Sequence, residues 1–210
     1  MTQLGYQKST IPQEILQVIL EEKLDHPQHY CNEITGQSIN CRKMDSNGQF
    51  IEKKNVFIYD FGSNFRVSQR IENYVRKQLE IWTNSSLATN MLTYGIRRYT
   101  RGAKLFSHVD TLPLHLISVI IQVDQKVDQD WPLTLLDHNN EYQEVILKPG
   151  EMLFYEGSVA PHGRPYPLHG DYYDNMFVHF TLENQKLLNK LEQEVDHYSV
   201  YKANKIKDEL

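Results

Sequence analysis

Sulfur is scarce in this chain. Its 210 residues include only two cysteines, Cys31 and Cys41. Two thiols cannot build a disulfide-dense scaffold or a four-thiolate zinc site. Glycine and proline are few, at 10 and 8 positions, which excludes collagen-like and low-complexity chains. No apolar run approaches the roughly 18 residues of a membrane-spanning helix. A surplus of positive charge is missing too: 22 Lys and Arg stand against 27 Asp and Glu, a formal net charge of −5. Nucleic acid is therefore not expected as the main partner. Apolar residues at 40% and charged residues at 23% give a globular balance. What the chain does hold is nine histidines. A bound metal would then meet imidazole and carboxylate before sulfur.

The two ends point to different compartments. The opening MTQLGYQKST lacks the cationic start and apolar stretch of a signal peptide. The final Lys207-Asp208-Glu209-Leu210 spells an endoplasmic-reticulum retention signal, in a stretch already rich in those residue types. Asn84-Ser85-Ser86 is a glycosylation sequon of a kind common by chance. The cytoplasm is the expectation and the reticulum lumen the alternative. In the lumen Cys31 and Cys41 could pair, if their geometry permits. Oligomeric state is not legible in the sequence.

The pattern along the chain predicts one domain over 1–210. Residues 1–90 form a helical and irregular support region, 91–182 a β core, and 183–210 a helix and tail. Thr10 caps the first expected helix, with Pro12 in its first turn and Ile15, Leu16, Ile19 and Leu20 at helical spacing. Residues 25–50 are polar, with turn signals at Asn32, Gly36 and Asn47-Gly48. Val56–Tyr59 reads as a strand. Ser68 caps a second helix marked by Ile71, Val75, Leu79 and Trp82, and both helices are expected against a sheet. Seven strands follow, over Tyr94–Tyr99, Leu105–Val109, Leu116–Val123, Leu133–Leu136, Glu144–Leu147, Met152–Tyr155 and Asn175–Thr181. Turns at Arg101-Gly102, Trp131-Pro132, Asn139-Asn140 and Pro149-Gly150 separate them. Strands at this spacing suggest a sandwich or barrel. A last helix places Leu187, Leu188, Leu191 and Val195 on one side.

The stretch richest in chemistry is Phe106-Ser107-His108-Val109-Asp110. Residues two apart on a strand share a face, so His108 and Asp110 can aim an imidazole and a carboxylate into one space. A third ligand must come from another strand. His162, in Pro161-His162-Gly163-Arg164-Pro165, is favoured over His179. Two histidines and one carboxylate on one face, with the opposite positions open, suit non-haem Fe(II). Of the remaining histidines, His115 could face the same space or solvent. His179 reads as a hydrogen-bonded core residue. His26, His29, His138 and His197 lie in polar stretches.

These residues sit within a longer pattern: Arg98-Tyr99-x-x-Gly102, His108-x-Asp110, Gly150-Glu151-Met152-Leu153-Phe154, His162-Gly163-x-Pro165 and Gly170. Over residues 92–182 it resembles the 2-oxoglutarate and Fe(II)-dependent dioxygenases, in their prolyl 4-hydroxylase-like branch. The resemblance implies an α+β fold, mainly β with flanking helices, around a double-stranded β-helix of the jelly-roll or cupin type. It implies that His108, Asp110 and His162 hold Fe(II). It also implies 2-oxoglutarate and O2 as co-substrates, succinate and CO2 as products, and ascorbate as an accessory. A peptidyl proline is the substrate suggested by the resemblance, with small molecules such as free amino acids as alternatives. Trp131, Tyr142, Tyr166 and Tyr172 are candidates for lining a substrate groove, or ordinary packing residues.

The chain departs from the family at one place. Prolyl 4-hydroxylases carry Lys or Arg about ten residues after the distal histidine, facing the far carboxylate of 2-oxoglutarate. Here that count reaches Tyr172 and Tyr173. A buried carboxylate without a partner is costly, so another group must serve. Arg164 is the leading candidate, because its guanidinium forms a bidentate fork. Its other reading is a surface or substrate-facing arginine. Lys104, Arg98 and His169 are weaker candidates. Tyr99 and Tyr172 either line the co-substrate pocket or belong to the aromatic core. Two further readings stand beside the dioxygenase: a cupin-like binding protein without catalysis, and an iron dioxygenase that uses no 2-oxo acid.

Overall fold

A computed structural model of the chain describes residues 2–25, 28–30, 56–59, 65–89, 92–191 and 193. Cys31, Cys41, the turn signals between residues 32 and 48, His26, Val195, His197 and the Lys207–Leu210 tail lie outside the described residues. The chain opens with strand β1 (Tyr6–Thr10) and helix α1 (Gln13–Asp25). The short strands β2 (Gln28–Tyr30) and β3 (Val56–Tyr59) and helix α2 (Phe65–Thr83) follow. The β core comprises β4 (Leu92–Thr100), β5 (Leu105–His108), β6 (Ile117–Val127), β7 (Leu133–Leu136) and β8 (Tyr142–Val145). It is completed by β9 (Glu151–Tyr155), β10 (His162–Arg164) and β11 (Gly170–Phe180). None of the described helices is long and apolar enough to cross a membrane.

Two antiparallel sheets face each other. The larger has the order β1-β9-β6-β11-β4-β3-β2, and the smaller β5-β10-β7-β8. From β4 onward the chain crosses between sheets repeatedly, which is the winding of a double-stranded β-helix. Alternation divides the large sheet into two faces. Met176, Val178 and Phe180 of β11 and Val119 and Ile121 of β6 point outward, into one cluster with Ile15 and Ile19 of α1 and Ile71, Val75 and Leu79 of α2. Each fully buried aliphatic side chain there contributes roughly 1.5–3 kcal/mol, so the helices are fastened to the sheet by their apolar faces. On the inner face Leu153, Tyr155 and Ile120 meet Leu133, Leu135 and Val145 of the small sheet.

Several local expectations shift. Thr10 is the last residue of β1, paired with Glu151, and is not a helix cap. The Pro12 carbonyl accepts the first bonds of α1, from the Ile15 and Leu16 amides. Ser68 lies inside α2, which begins at Phe65. The strands expected at Glu144–Leu147 and Asn175–Thr181 run Tyr142–Val145 and Gly170–Phe180 instead. In the helical segment at 185–191, Leu188 and Leu191 are buried while Leu187 is exposed.

A bulge in β4 matters most for the site. Ile96 pairs with Met176, but Thr93 pairs with Val178, so two β4 residues oppose one on β11. Gly95 sits there at φ +78°, a left-handed conformation natural to glycine. Such a bulge re-aims the residues beyond it. It turns Ile96 and Arg98 outward and Arg97 and Tyr99 inward.

Candidate metal centre

The strands that hold the candidate ligands are neighbours. β10 pairs antiparallel with β5, and His162 lies directly across from His108. Their rings stand 4.6 Å apart, centroid to centroid. β10 was not expected from the sequence. Its three residues sit between Pro161 and Pro165, yet they pair on both sides, with β5 and β7. Gly163 allows this packing, since a Cβ there would stand 2.7 Å from the Leu105 carbonyl oxygen.

Asp110 reaches the same space differently from the expectation. β5 ends at His108, so strand alternation does not carry Asp110. Its amide donates to the Gly157 carbonyl at 2.9 Å, which ties it to the turn after β9. One ligand atom each from His108, Asp110 and His162 lies within 4.8 Å of the others. His115 and His179 are not part of this group.

The donor set is oriented for a cation. His108 Nδ1 donates to the Phe106 carbonyl and His162 Nδ1 to the Ala160 carbonyl, both at 2.9 Å. A carbonyl can only accept, so each Nδ1 carries a proton, and it is Nε2 that holds the lone pair in the neutral ring. The two Nε2 atoms lie 3.7 and 3.8 Å from Asp110 Oδ1. The second oxygen, Oδ2, accepts from Ser118 Oγ at 3.3 Å and Tyr155 Oη at 3.4 Å. Outer contacts of this kind hold metal ligands in position.

The electrostatics agree with that geometry. Burial foremost, then the neighbouring His162, pulls the His108 pKa down to about 4. Burial would raise the carboxyl of Asp110, but the imidazoles of His162, His179 and His108 outweigh it and hold it at about 2. At neutral pH His108 is therefore a neutral ligand and Asp110 an anion. His179 is lowered to about 3, mainly by burial, and its Nδ1 stands 2.8 Å from Ser118 Oγ. It serves beside the centre, bracing the serine that holds Asp110. Tyr155 is raised well above 10 by burial first and then by Asp110, so it remains a donor.

Gly157 went unnoticed in the sequence, where the only signal is a glycine just past a strand. A Cβ on it would collide with Asp110 Oδ2 and stand 2.6 Å from Ser118 Oγ. Gly157→Ala is expected to displace Asp110 and weaken Ni(II) binding by about 10–100-fold, the range for lost supporting contacts. Calorimetric titration with Ni(II) measures it, and unchanged affinity would show that Asp110 tolerates the shift.

The remaining candidates separate by face. Arg164 is 1% exposed. Its guanidinium lies 4.7 Å from the rings of both Trp131 and Tyr173, donates to the Trp131 carbonyl, and reaches Asn175 Oδ1 at 3.4 Å. Among the described residues no carboxylate pairs with it. Tyr99 is buried on the same inner face, its ring 5.2 Å from Trp131. Tyr172 lies on the outer face with Arg98. Its hydroxyl donates to Asp124 at 3.0 Å and its ring covers the Arg98 guanidinium at 4.0 Å. Arg98 is also outward, held by both oxygens of Asp174 at 2.8 and 2.7 Å. Lys104 and His169 are exposed. Trp131 packs inside, while Tyr142 and Tyr166 are exposed. Arg97, which drew no attention in the sequence, points inward beside Tyr99.

No family model and no curated protein matches the chain. Solved structures do share its fold. A prolyl-4-hydroxylase from Pseudomonas putida matches with a TM-score of 0.57 at 13% identity, covering 86% of this chain and 94% of that one. A Trichoplax adhaerens prolyl hydroxylase, solved with a hypoxia inducible factor peptide fragment, gives 0.57 at 13%, covering 88% and 86%. HygX from Streptomyces hygroscopicus, solved with nickel, 2-oxoglutarate and hygromycin B, gives 0.55 at 9%, covering 86% and 84%. The chain thus has the double-stranded β-helix fold of these oxygenases.

Proposed function

We propose that this protein is an Fe(II)- and 2-oxoglutarate-dependent dioxygenase. The observation that carries the reading is the His108–Asp110–His162 group, with each Nδ1 donating to a backbone carbonyl and both Nε2 atoms turned toward one carboxylate oxygen. Imidazole, imidazole and carboxylate suit Fe(II) and leave positions open. Fe(II) held there would supply the redox chemistry that couples decarboxylation of 2-oxoglutarate to oxidation of a second substrate. The overall change is substrate C–H, O2 and 2-oxoglutarate going to substrate C–OH, succinate and CO2.

The chain's own part is binding, orientation and exclusion of water. Arg164 is the group for the far carboxylate of 2-oxoglutarate. It shares the inner face with His162, two residues away on β10. It is also a buried cation whose partners among the described residues are carbonyl oxygens and aromatic faces, and a carboxylate would complete them. Tyr99 and Trp131 wall the same space. The substrate we propose is a prolyl residue or a related saturated carbon centre. The two prolyl hydroxylases among the fold relatives support it. HygX was solved with hygromycin B bound, so the fold also accommodates other ligands.

Incubation with Fe(II), 2-oxoglutarate and O2 tests the reading. Succinate should form, slowly without substrate and faster with one, and chelation should stop it. Iron-dependent O2 consumption indifferent to 2-oxoglutarate would instead favour a dioxygenase with no 2-oxo acid.

A further inference from the structure

Arg97 is a second inward-facing cation that the reading above does not use. The β4 bulge at Gly95 places it on the inner face, across from Asn175 of β11. Its guanidinium lies 4.9 Å from the Phe177 ring. Phe177 in turn stacks on His179, centroids 6.5 Å apart, and His179 Nδ1 is 4.0 Å from Asp110 Oδ2. Arg97 is thus linked to Asp110 along the inner face through Phe177 and His179.

The neighbouring arginines are occupied or deeper. Arg98 is clamped to Asp174 on the opposite face, and Arg164 is fully buried. Arg97 is half-buried, so a ligand can reach it from the open side. Its hydrogen bond to Tyr99 Oη, at 3.4 Å, is long. Among the described residues no carboxylate pairs with it. A guanidinium offers five donors in a planar fork that matches a carboxylate.

Charge balance leads to the same place. A divalent metal, Asp110, Arg164 and Arg97 together carry three net positive charges. The two carboxylates of 2-oxoglutarate offset two of them. One positive charge is left beside the open metal positions, in a space where unpaired charge is costly.

We infer that Arg97 is a specificity-determining residue that anchors a carboxylate of the oxidised substrate. The inference rests on the proposed dioxygenase reading and narrows its substrate class. The carboxylate has two possible sources: the α-carboxylate of a free or terminal residue, or an acidic side chain beside the oxidised residue in a peptide.

Matched acid and amide probes distinguish them. N-acetyl-L-proline against N-acetyl-L-prolinamide reads the first source. Acetyl-Pro-Glu-amide against acetyl-Pro-Gln-amide reads the second. Each is titrated calorimetrically into full-length protein loaded with Ni(II) and 2-oxoglutarate. In the wild type one acid should bind at least about 10-fold more tightly than its amide, the lower end for a charged hydrogen bond. Arg97→Gln should erase that difference while changing 2-oxoglutarate affinity by less than about threefold, and Arg97→Lys should restore part of it. A purely structural role would instead lower the melting temperature and leave the acid preference intact.

Equal binding of acid and amide in both pairs would overturn the inference. So would an acid preference that survives in Arg97→Gln. A loss of 2-oxoglutarate affinity in that variant, with the acid preference unchanged, would assign Arg97 to the co-substrate instead. The dioxygenase reading fails separately, by absence of succinate in the Fe(II) protein, whereas the acid preference is read in the Ni(II) protein without turnover.

Discussion

Asp110→Ala will yield a folded protein that forms no succinate from 2-oxoglutarate. Asp110 is the carboxylate of the ligand group, and both free imidazole nitrogens face its Oδ1. Without it two imidazoles remain, and a divalent cation loses its anionic ligand. Loss of supporting contacts alone costs about 10–100-fold in metal affinity, so loss of the ligand should exceed about 100-fold. Binding can be read without turnover. A metal at 100 times its dissociation constant raises stability by about 2.7 kcal/mol. Ni(II) should therefore raise the melting temperature of the wild type and leave that of Asp110→Ala unmoved. The metal-free variant should still fold, because the apolar cluster that fastens the helices to the large sheet does not include Asp110, and only the long bonds from Ser118 and Tyr155 to its Oδ2 are lost. Turnover at the wild-type rate in this variant would remove Asp110 from the centre.

Arg164→Ala should raise the KM for 2-oxoglutarate by roughly 10–100-fold, equivalent to about 1.5–3 kcal/mol for a charged hydrogen bond. The side chain is also packed between Trp131 and Tyr173, so truncation leaves a cavity and removes cation–π contacts. Arg164→Met fills more of that space and keeps the test readable if the alanine variant folds poorly. A 2-oxo acid lacking the far carboxylate, such as 2-oxobutyrate, separates binding from packing. The wild type should strongly prefer 2-oxoglutarate, and the variants should lose most of that preference. A structural role alone would lower stability and leave the ratio of the two co-substrates unchanged. An unchanged preference in Arg164→Met would take Arg164 out of this role.

Much of the architecture was legible because it depends on short-range patterns. Val56–Tyr59 and Leu133–Leu136 came out with the bounds expected from β-branched and aliphatic residues between turn signals. Ile71, Val75 and Leu79 recur at helical spacing and are all fully buried. Short or atypical elements were missed. β10 is three residues between two prolines, and it is a strand because β5 and β7 supply partners on both sides. β1 is polar and finds its register only against β9.

The same division runs through the site. The candidate donor set was legible in the residues alone: two histidines and one aspartate in a chain poor in sulfur, with His108 and Asp110 close along the backbone and His162 on a distant segment. The sequence also marked Arg164 as a candidate cation. Which charged side chains face the candidate metal centre is settled by the tertiary structure. Alternation along β4 permits either Arg97 or Arg98 to point inward, and the bulge at Gly95 selects Arg97. The same parity places Tyr172 outward with Asp124 and Tyr173 inward under Arg164. Sequence sets the residue types, whereas facing depends on strand register. Register is settled by pairing between segments far apart in the chain, where a one-residue shift reverses every side chain.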